Sequence, residues 1–189
     1  KTARELLKEK IERDKQRGRI FRPIRAMVVG IPNVGKSTFI NKLVGKSSAK
    51  TGDKPGVTKG KQWIKIKRDF ELLDTPGILW PKFEDMNVGM KLAFTGAIKQ
   101  EILDTHTLSL ELLKFLSNKF PETLETRYKL TDIEAKTPME LLTEIGQKRG
   151  FLVSGGEVDY FRTALTVLDE LRTGKLGNIT LETPEDIEN

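Results

Sequence analysis

The sequence of 189 residues contains no cysteine and a single histidine. Without cysteine the chain cannot build a disulfide framework, a Cys-ligated zinc site or a thiol nucleophile. One histidine is too few for a metal centre that is built from several imidazoles. No apolar run approaches the roughly 18 residues needed to span a bilayer, and no secretory signal opens the chain. These absences predict a cytoplasmic protein without membrane contact.

The charge is basic overall and unevenly distributed. The formal net charge is +6. Residues 1–82 carry 21 Lys and Arg against 8 Asp and Glu, whereas residues 83–189 carry 12 against 19. A basic half of this strength favours a polyanionic partner such as nucleic acid or nucleotide phosphates. A solvated lysine-rich surface explains the same counts, and the sequence contains no arginine-and-aromatic signature of RNA binding.

Hydrophobic periodicity predicts an α/β first half and a helical second half. We expect a helix over 1–18, an apolar strand over 26–29, a helix from Lys36 and a β-hairpin over 62–74. Beyond these the pattern predicts helices over 88–103, 107–119, 138–149 and 156–173. The strands end and the charge changes sign between residues 83 and 105, so we divide the chain into domains 1–87 and 88–189.

The sequence GIPNVGKS at residues 30–37, the phosphate loop, fits the pattern GxxxxGK[ST]. An apolar strand precedes it and a helix follows, as this motif requires. Its glycines let backbone N–H groups approach phosphate oxygens, and the positive end of the helix faces the same anion. Lys36 then neutralises the β- and γ-phosphates, and the Ser37 hydroxyl binds Mg²⁺. We expect the nucleotide contacts of this loop from Asn33, Val34, Gly35, Lys36, Ser37 and Thr38.

A second motif, DTPG at residues 74–77, directly follows the predicted strand that ends at Leu73. Asp74 is placed to hold Mg²⁺ through water, and the N–H of Gly77, beside Pro76, is placed to approach the γ-phosphate. Thr58 lies between the two motifs in a loop over 45–61. From there it could complete the Mg²⁺ shell and sense the γ-phosphate. The predicted catalytic set is Lys36, Thr58 and Gly77, and the predicted Mg²⁺ ligands are Ser37, Thr58 and Asp74.

Together the motifs resemble the core of translation-factor GTPases, and longer segments resemble the ribosome biogenesis GTPase A family. The segments are KTGDKPGVT (50–58), LDTPGILWPKF (73–83), RG (149–150) with SGG (154–156), and GKLGNITLE (174–182). The resemblance implies a partial, circularly permuted P-loop GTPase sheet of α/β class followed by an all-α C-terminal domain. It also implies a GTP- and GDP-binding, Mg²⁺-dependent hydrolase that assists late maturation of the large ribosomal subunit. Its hydrolysis would be stimulated by the ribosome, and its helical domain would contact rRNA.

The guanine-recognition motif [NT]KxD is absent from the sequence. In the circularly permuted family that the chain resembles, the base-recognition motifs precede the phosphate loop. Only about three strands are visible, whereas doubly wound nucleotide-binding sheets usually contain five or six. We therefore expect a preceding segment of roughly 80–110 residues, which would supply the remaining strands and crossovers.

Three further residues bear on catalysis. Ile78 stands where many GTPases place a water-orienting Gln. Because an isoleucine side chain cannot hydrogen-bond to water, we expect slow hydrolysis by the chain alone. The resemblance implies a catalytic group from the N-terminal segment, and we expect no catalytic role for His106. Asn33 is a candidate K⁺ ligand, as in potassium-stimulated GTPases, or an Asn suited to turn geometry.

The apolar stripes of the helical half indicate core packing. Its basic residues could contact RNA or form solvated surface; they are Lys148, Arg149, Arg162, Arg172 and Lys175. Two other functions remain open: a P-loop nucleotide kinase or ATPase, for which the sequence offers no arginine-bearing lid, and a non-enzymatic RNA-binding scaffold. The family resemblance favours a monomer that acts on the large ribosomal subunit and its rRNA.

Overall fold

The computed structural model describes residues 2–18, 23–45, 60–79, 85–98 and 104–184. The chain divides into two compact units, Lys1–Trp80 and Pro81–Asn189. The first contains the sheet and both nucleotide motifs, and the second is helical. This mixed α/β and all-α composition confirms the predicted fold class.

The elements of the first unit follow one another in the order helix, helix, strand, helix, strand, strand. Their bounds are α1 (Thr2–Leu6), α2 (Lys8–Gln16), β1 (Ile24–Val28), α3 (Lys36–Val44), β2 (Gln62–Lys67) and β3 (Phe70–Asp74). The helix predicted over 1–18 is thus interrupted at Leu7. The predicted strand 26–29 begins two residues earlier and ends one earlier, because Ile24 and Arg25 already pair with β3.

The sheet of the first unit has the order β1-β3-β2. β1 runs parallel to β3, while β2 and β3 form the antiparallel hairpin expected over 62–74. In the parallel pair Val28 is opposite Asp74, so both strands end at the same edge. Because the phosphate loop follows β1 and the DTPG segment follows β3, this pairing places the two motifs side by side.

The small core of the first unit lies between the sheet and α3. Ile40 of α3 packs with Ile64 and Leu72, and all three are buried. Burial alternates along β1 and β2, as expected for a sheet covered on one face. The opposite face bears exposed side chains, among them Met27 and Trp63.

The second unit is built from helices that pack around α5. The bounds are α4 (Met86–Phe94), α5 (Thr105–Lys119), α6 (Pro121–Tyr128), a short 3-10 helix (Ile133–Ala135), α7 (Pro138–Lys148) and α8 (Tyr160–Arg172). Leu112, Leu113 and Leu116 of α5 are fully buried in its core. Within the described part of the chain, no helix is both long and apolar enough to cross a membrane.

Side chains cap the starts of α5, α7 and α8. Asp104 accepts a hydrogen bond from the backbone of Thr107 at the start of α5. Thr137 and Glu140 form a reciprocal capping box at the start of α7, and Asp159 caps α8. Such caps each contribute about 1 kcal/mol, since they satisfy amides that have no partner within the helix.

The largest differences between the predicted and the observed helices of the second unit occur in three places. α4 ends at Phe94, before Gly96, whose φ is +75°. α6 departs from the prediction, in which Pro121 separates two helices, because proline fits the first turn of a helix. α8 begins at Tyr160 instead of 156, because Leu152 pairs with Val158 in a hairpin whose tip contains two positive-φ glycines.

Candidate functional site

The phosphate loop folds as a left-handed turn into the start of α3. Asn33 has a φ of +59°, and Gly35, the N-cap of α3, has a φ of +83°. Glycine tolerates this conformation without strain, and asparagine more readily than most residues. Gly35 has no side chain that could accept hydrogen bonds from the first amides of α3. That end of the helix is therefore suited to binding an anion.

Lys36, the first residue of α3, turns back across the loop. Its Nζ donates a hydrogen bond of 2.6 Å to the carbonyl oxygen of Ile31. Partial burial lowers the pKa of Lys36, and the nearby Asp74 carboxylate offsets part of that effect. The ammonium group is thus held against the backbone of the phosphate loop, where it could neutralise a bound phosphate.

Ser37 and Asp74 meet at the edge where β1 and β3 end. The Ser37 hydroxyl donates a hydrogen bond of 3.0 Å to Oδ2 of Asp74. Asp74 is 1% exposed, and its buried Oδ1 has no hydrogen-bond partner among the residues that the structure describes. A buried carboxylate oxygen without a partner, beside a hydroxyl, suits a hard cation or its water ligand. The residues present therefore fit Mg²⁺.

The DTPG segment is attached closely to the phosphate loop. The Thr75 hydroxyl donates a 2.7 Å hydrogen bond to the carbonyl of Val28, and the Ile78 amide lies 3.4 Å from the carbonyl of Gly30. A Cβ atom added at Gly77 would lie 2.4 Å from the backbone nitrogen of Pro32. Only glycine permits this approach. The role of Thr75 was not predicted, although its place directly after a strand that ends in Asp was a usable signal.

The structure brings four of the predicted site residues together: Lys36, Ser37, Asp74 and Gly77. The other predicted contact residues are more open: Asn33, Val34, Gly35 and Thr38 are exposed, and Pro76 is half-buried. Ile78, at the water-orienting position, is 76% exposed. Thr58 lies outside the described residues, so its predicted contacts with Mg²⁺ and the γ-phosphate stay predictions.

Two of the basic side chains considered for RNA contact hold the helical unit together. Arg149 Nη2 lies 3.1 Å and 3.3 Å from the two carboxylate oxygens of Glu170. Arg172, which is half-buried, donates hydrogen bonds of 2.9 Å to the carbonyls of Ala93 and Phe94. These two guanidinium groups therefore have partners within their own unit.

The remaining candidates and the histidine lie nearer the surface. Lys148 forms an ion pair of 3.0 Å with Glu144, and Arg162 lies 4.3 Å from the ring centre of Phe151. Lys175 is exposed. His106 occupies the first turn of α5, where its ring contacts that of Tyr160 edge to face at 6.2 Å.

Comparison with known proteins extends the likeness beyond the motifs. Residues 25–143 match the family described as "50S ribosome-binding GTPase". The chain is 52% identical over 184 residues to ribosome biogenesis GTPase A of Bacillus pumilus, and 53% identical over 188 residues to that of Priestia megaterium. These alignments cover 97% and 99% of this chain but 65% of each relative. The chain thus spans just under two thirds of their length.

Solved structures show the same likeness. A GDP-bound structure of YlqF aligns with a TM-score of 0.63 at 27% identity, covering 95% of this chain and 77% of that one. A GNP-bound YlqF from T. maritima aligns with a TM-score of 0.57, also at 27% identity, over 95% of this chain and 76% of that one.

Proposed function

The chain belongs to the family of 50S ribosome-binding GTPases, and we propose on this basis that it binds GTP and GDP and hydrolyses GTP. We propose further that it assists late maturation of the large ribosomal subunit, and that the ribosome stimulates its hydrolysis. It would act in the cytoplasm as a monomer, with the large subunit and its rRNA as partners. The names of the relatives and the family match over residues 25–143 support this proposal.

The observation that carries the proposal is the hydrogen bond between Ser37 and Asp74, beside the ammonium group of Lys36. A hydroxyl and a buried carboxylate at the ends of neighbouring strands, next to a glycine-rich turn, are the groups that a magnesium nucleotide needs. A turn that merely connected β1 to α3 would not require Asp74 to be buried with one oxygen unpaired.

Each residue of the site has a distinct proposed role. The amides at the start of α3 would bind phosphate oxygens, and Lys36 would neutralise the β- and γ-phosphates. Ser37 and Asp74 would hold Mg²⁺, the latter through water. When bound, Mg²⁺ would neutralise the charge that develops on the transferred phosphoryl group. The Gly77 amide would donate a hydrogen bond to the γ-phosphate.

The roles of Thr58 and Asn33 are proposed from the sequence motifs. Thr58 would complete the Mg²⁺ shell in the triphosphate state. Asn33 would bind a K⁺ ion that supports hydrolysis, although its positive φ suits the turn-forming role equally well.

The nucleotide would control attachment to the ribosome. The triphosphate would order the loops around Thr58 and Gly77 and favour binding to the large subunit, with the helical unit contributing contacts to rRNA. Hydrolysis would relax those loops and promote release. Because Ile78 cannot orient water, the chain alone would hydrolyse GTP slowly.

The proposal is tested by single-turnover GTP hydrolysis, measured with and without large ribosomal subunits. We expect the subunits to accelerate hydrolysis by the unmodified chain, and Lys36→Ala to abolish that acceleration. Lys42→Ala is the matched control, because Lys42 is exposed on the same helix. Nucleotide binding without any accelerated hydrolysis would favour the non-enzymatic scaffold and overturn the enzymatic proposal.

A further inference from the structure

The face of the sheet opposite α3 is exposed and bears an aromatic side chain among basic ones. Trp63 is 47% exposed, and Lys65, two positions later on β2, points to the same side of the strand. Lys61, directly before β2, is exposed as well. On β1, which is separated from β2 by β3, Arg25 is also exposed. We name the set Arg25, Lys61, Trp63 and Lys65 the open sheet face.

Arg25 and Trp63 form a stacked pair on this face. The guanidinium carbon of Arg25 lies 4.8 Å from the ring centre of Trp63. Glu71, on the strand between them, accepts a 3.1 Å hydrogen bond from Arg25 Nε and holds the guanidinium in place. The ring is thereby oriented, while nearly half of the Trp63 surface remains open to solvent. An aromatic ring fixed in this way can stack on a nucleobase without losing much conformational freedom.

The surroundings of the pair are basic. Lys67 and Arg68 at the end of β2 are exposed as well, and residues 1–82 together carry 21 basic against 8 acidic side chains. By contrast, the helical half is net acidic, and its Arg149 and Arg172 are bonded within their own unit. Phosphate attraction therefore concentrates on the first unit.

We propose that the open sheet face binds single-stranded RNA, with Trp63 stacking on one base while Arg25, Lys61 and Lys65 contact the flanking phosphates. Aromatic residues on an exposed sheet, bordered by basic side chains, are a common arrangement for reading unpaired RNA. A protein partner is less well matched, because the exposed cations Arg25, Lys61 and Lys65 would lose their hydration against an apolar partner surface. The inference rests on the proposed function, since it names the surface that would contact rRNA.

The test uses the full 189-residue chain in the Trp80→Phe background, so that Trp63 is the only tryptophan. An unstructured RNA of about 10 nucleotides, a length within the usual site size, is titrated at several salt concentrations. We expect saturable quenching of Trp63 fluorescence, which stacking on a base would cause. By fluorescence anisotropy of labelled RNA, Trp63→Ala should weaken binding about tenfold and Trp63→Phe should restore most of it. Lys65→Gln should lower the salt slope by about 0.7.

Matched controls come from the helical unit. Phe161 is 66% exposed on α8, and Lys114 is exposed on α5, so Phe161→Ala and Lys114→Gln remove comparable side chains elsewhere. We expect neither to change RNA affinity. If the controls weaken binding and the Trp63 variants do not, RNA binds the helical unit, and the inference is overturned while the proposed function stands.

Two other outcomes separate the inference from the proposed function. RNA binding through Trp63 in a chain that never hydrolyses GTP would refute the GTPase proposal and leave the open sheet face in place. Ribosome-stimulated hydrolysis, combined with RNA binding that leaves Trp63 fluorescence unchanged, would overturn the inference alone.

Discussion

The Ser37 hydroxyl and Asp74 Oδ2 are 3.0 Å apart, joined by a hydrogen bond between the helix that follows β1 and the end of β3. The bond depends on the parallel register in which Val28 is opposite Asp74. The oxygen atoms that would hold a metal are therefore positioned by sheet pairing and not by the loops alone. This relationship yields the first prediction.

Ser37→Ala and Asp74→Asn are each expected to weaken Mg²⁺-dependent nucleotide binding about 10- to 100-fold, because each removes one of the oxygens that hold the ion. The double variant should lose less than the product of the two effects, since both groups act on one ion. Titration with a fluorescent GTP analogue, with Mg²⁺ or with EDTA, measures this.

Ser117→Ala is the control for these variants, because the Ser117 hydroxyl donates only to the carbonyl of Lys114 within its own helix among the contacts described. It should leave nucleotide affinity unchanged. If EDTA leaves the affinity of the unmodified chain intact, Ser37 and Asp74 do not form a magnesium site.

Gly77→Ala is expected to slow GTP hydrolysis about 100-fold while changing GDP affinity much less. The added Cβ would lie 2.4 Å from the Pro32 nitrogen, so the DTPG segment must move away from the phosphate loop. Rapid-quench hydrolysis and GDP titration separate the two effects. Gly60→Ala should change neither the rate of GTP hydrolysis nor the affinity for GDP, because the added Cβ would lie within 4 Å of no other atom. Unchanged hydrolysis in Gly77→Ala would show that the close contact has no catalytic importance.

Gly146→Ala is expected to destabilise the helical unit by about 1–3 kcal/mol, although alanine normally favours a helix. The new methyl would lie 2.4 Å from Val158 Cγ1 and 2.9 Å from Thr163 Oγ1. Val158→Ala makes room for it, so the double variant should be more stable than the sum of the single effects predicts. Urea unfolding followed by circular dichroism measures all three. A more stable Gly146→Ala chain would contradict the observed packing.

Glu170 is expected to make the stability of the helical unit depend on acid pH. Burial alone would raise the pKa of Glu170, but hydrogen bonds from Arg127 and attraction to Arg149 hold it below its ordinary value of 4.5. A carboxylate with a lowered pKa stabilises the fold above its ordinary pKa, and this contribution disappears as the pH falls through the lowered value. The free energy of unfolding should therefore decrease on acidification below about pH 5.

Glu170→Gln should cost about 3 kcal/mol near neutral pH, because two guanidinium groups lose their shared carboxylate. The pH dependence of unfolding between pH 6 and 3 should then be shallower than in the unmodified chain. Glu144→Gln is the matched comparison and should cost much less, because that ion pair with Lys136 is more exposed. Identical pH profiles for the Glu170 variant and the unmodified chain would refute this account.

Local signals explain which parts of the fold were predictable from the sequence. The phosphate loop and α3 follow from glycine spacing and a short apolar run, and the hairpin follows from alternation around Arg68 and Asp69, so both were found. α6 was missed because a proline either ends a helix or begins one, and only the packing of Leu124 into the core decides which.

Long-range contacts explain what was not predictable in the site. Ser37 and Asp74 were each assigned from their motifs, but their direct bond depends on a parallel pairing that no local pattern reports. The stacking of Arg25 on Trp63 is likewise absent from the sequence, because the residues are far apart along the chain and meet only across β3. Thr58 lies outside the described residues, so its prediction is untested.

The parallel register of β1 and β3 also sets an order of events during synthesis. Arg25 and Glu71, which face each other across the two strands, are 46 positions apart, and the phosphate loop and α3 lie on the chain between them. Closing so long an interval is slow and entropically costly compared with forming a hairpin or a helix. A nascent chain can therefore form α3 early, but it cannot complete the Ser37–Asp74 pair until Asp74 has left the exit tunnel. The candidate site is consequently completed only when β3 joins β1.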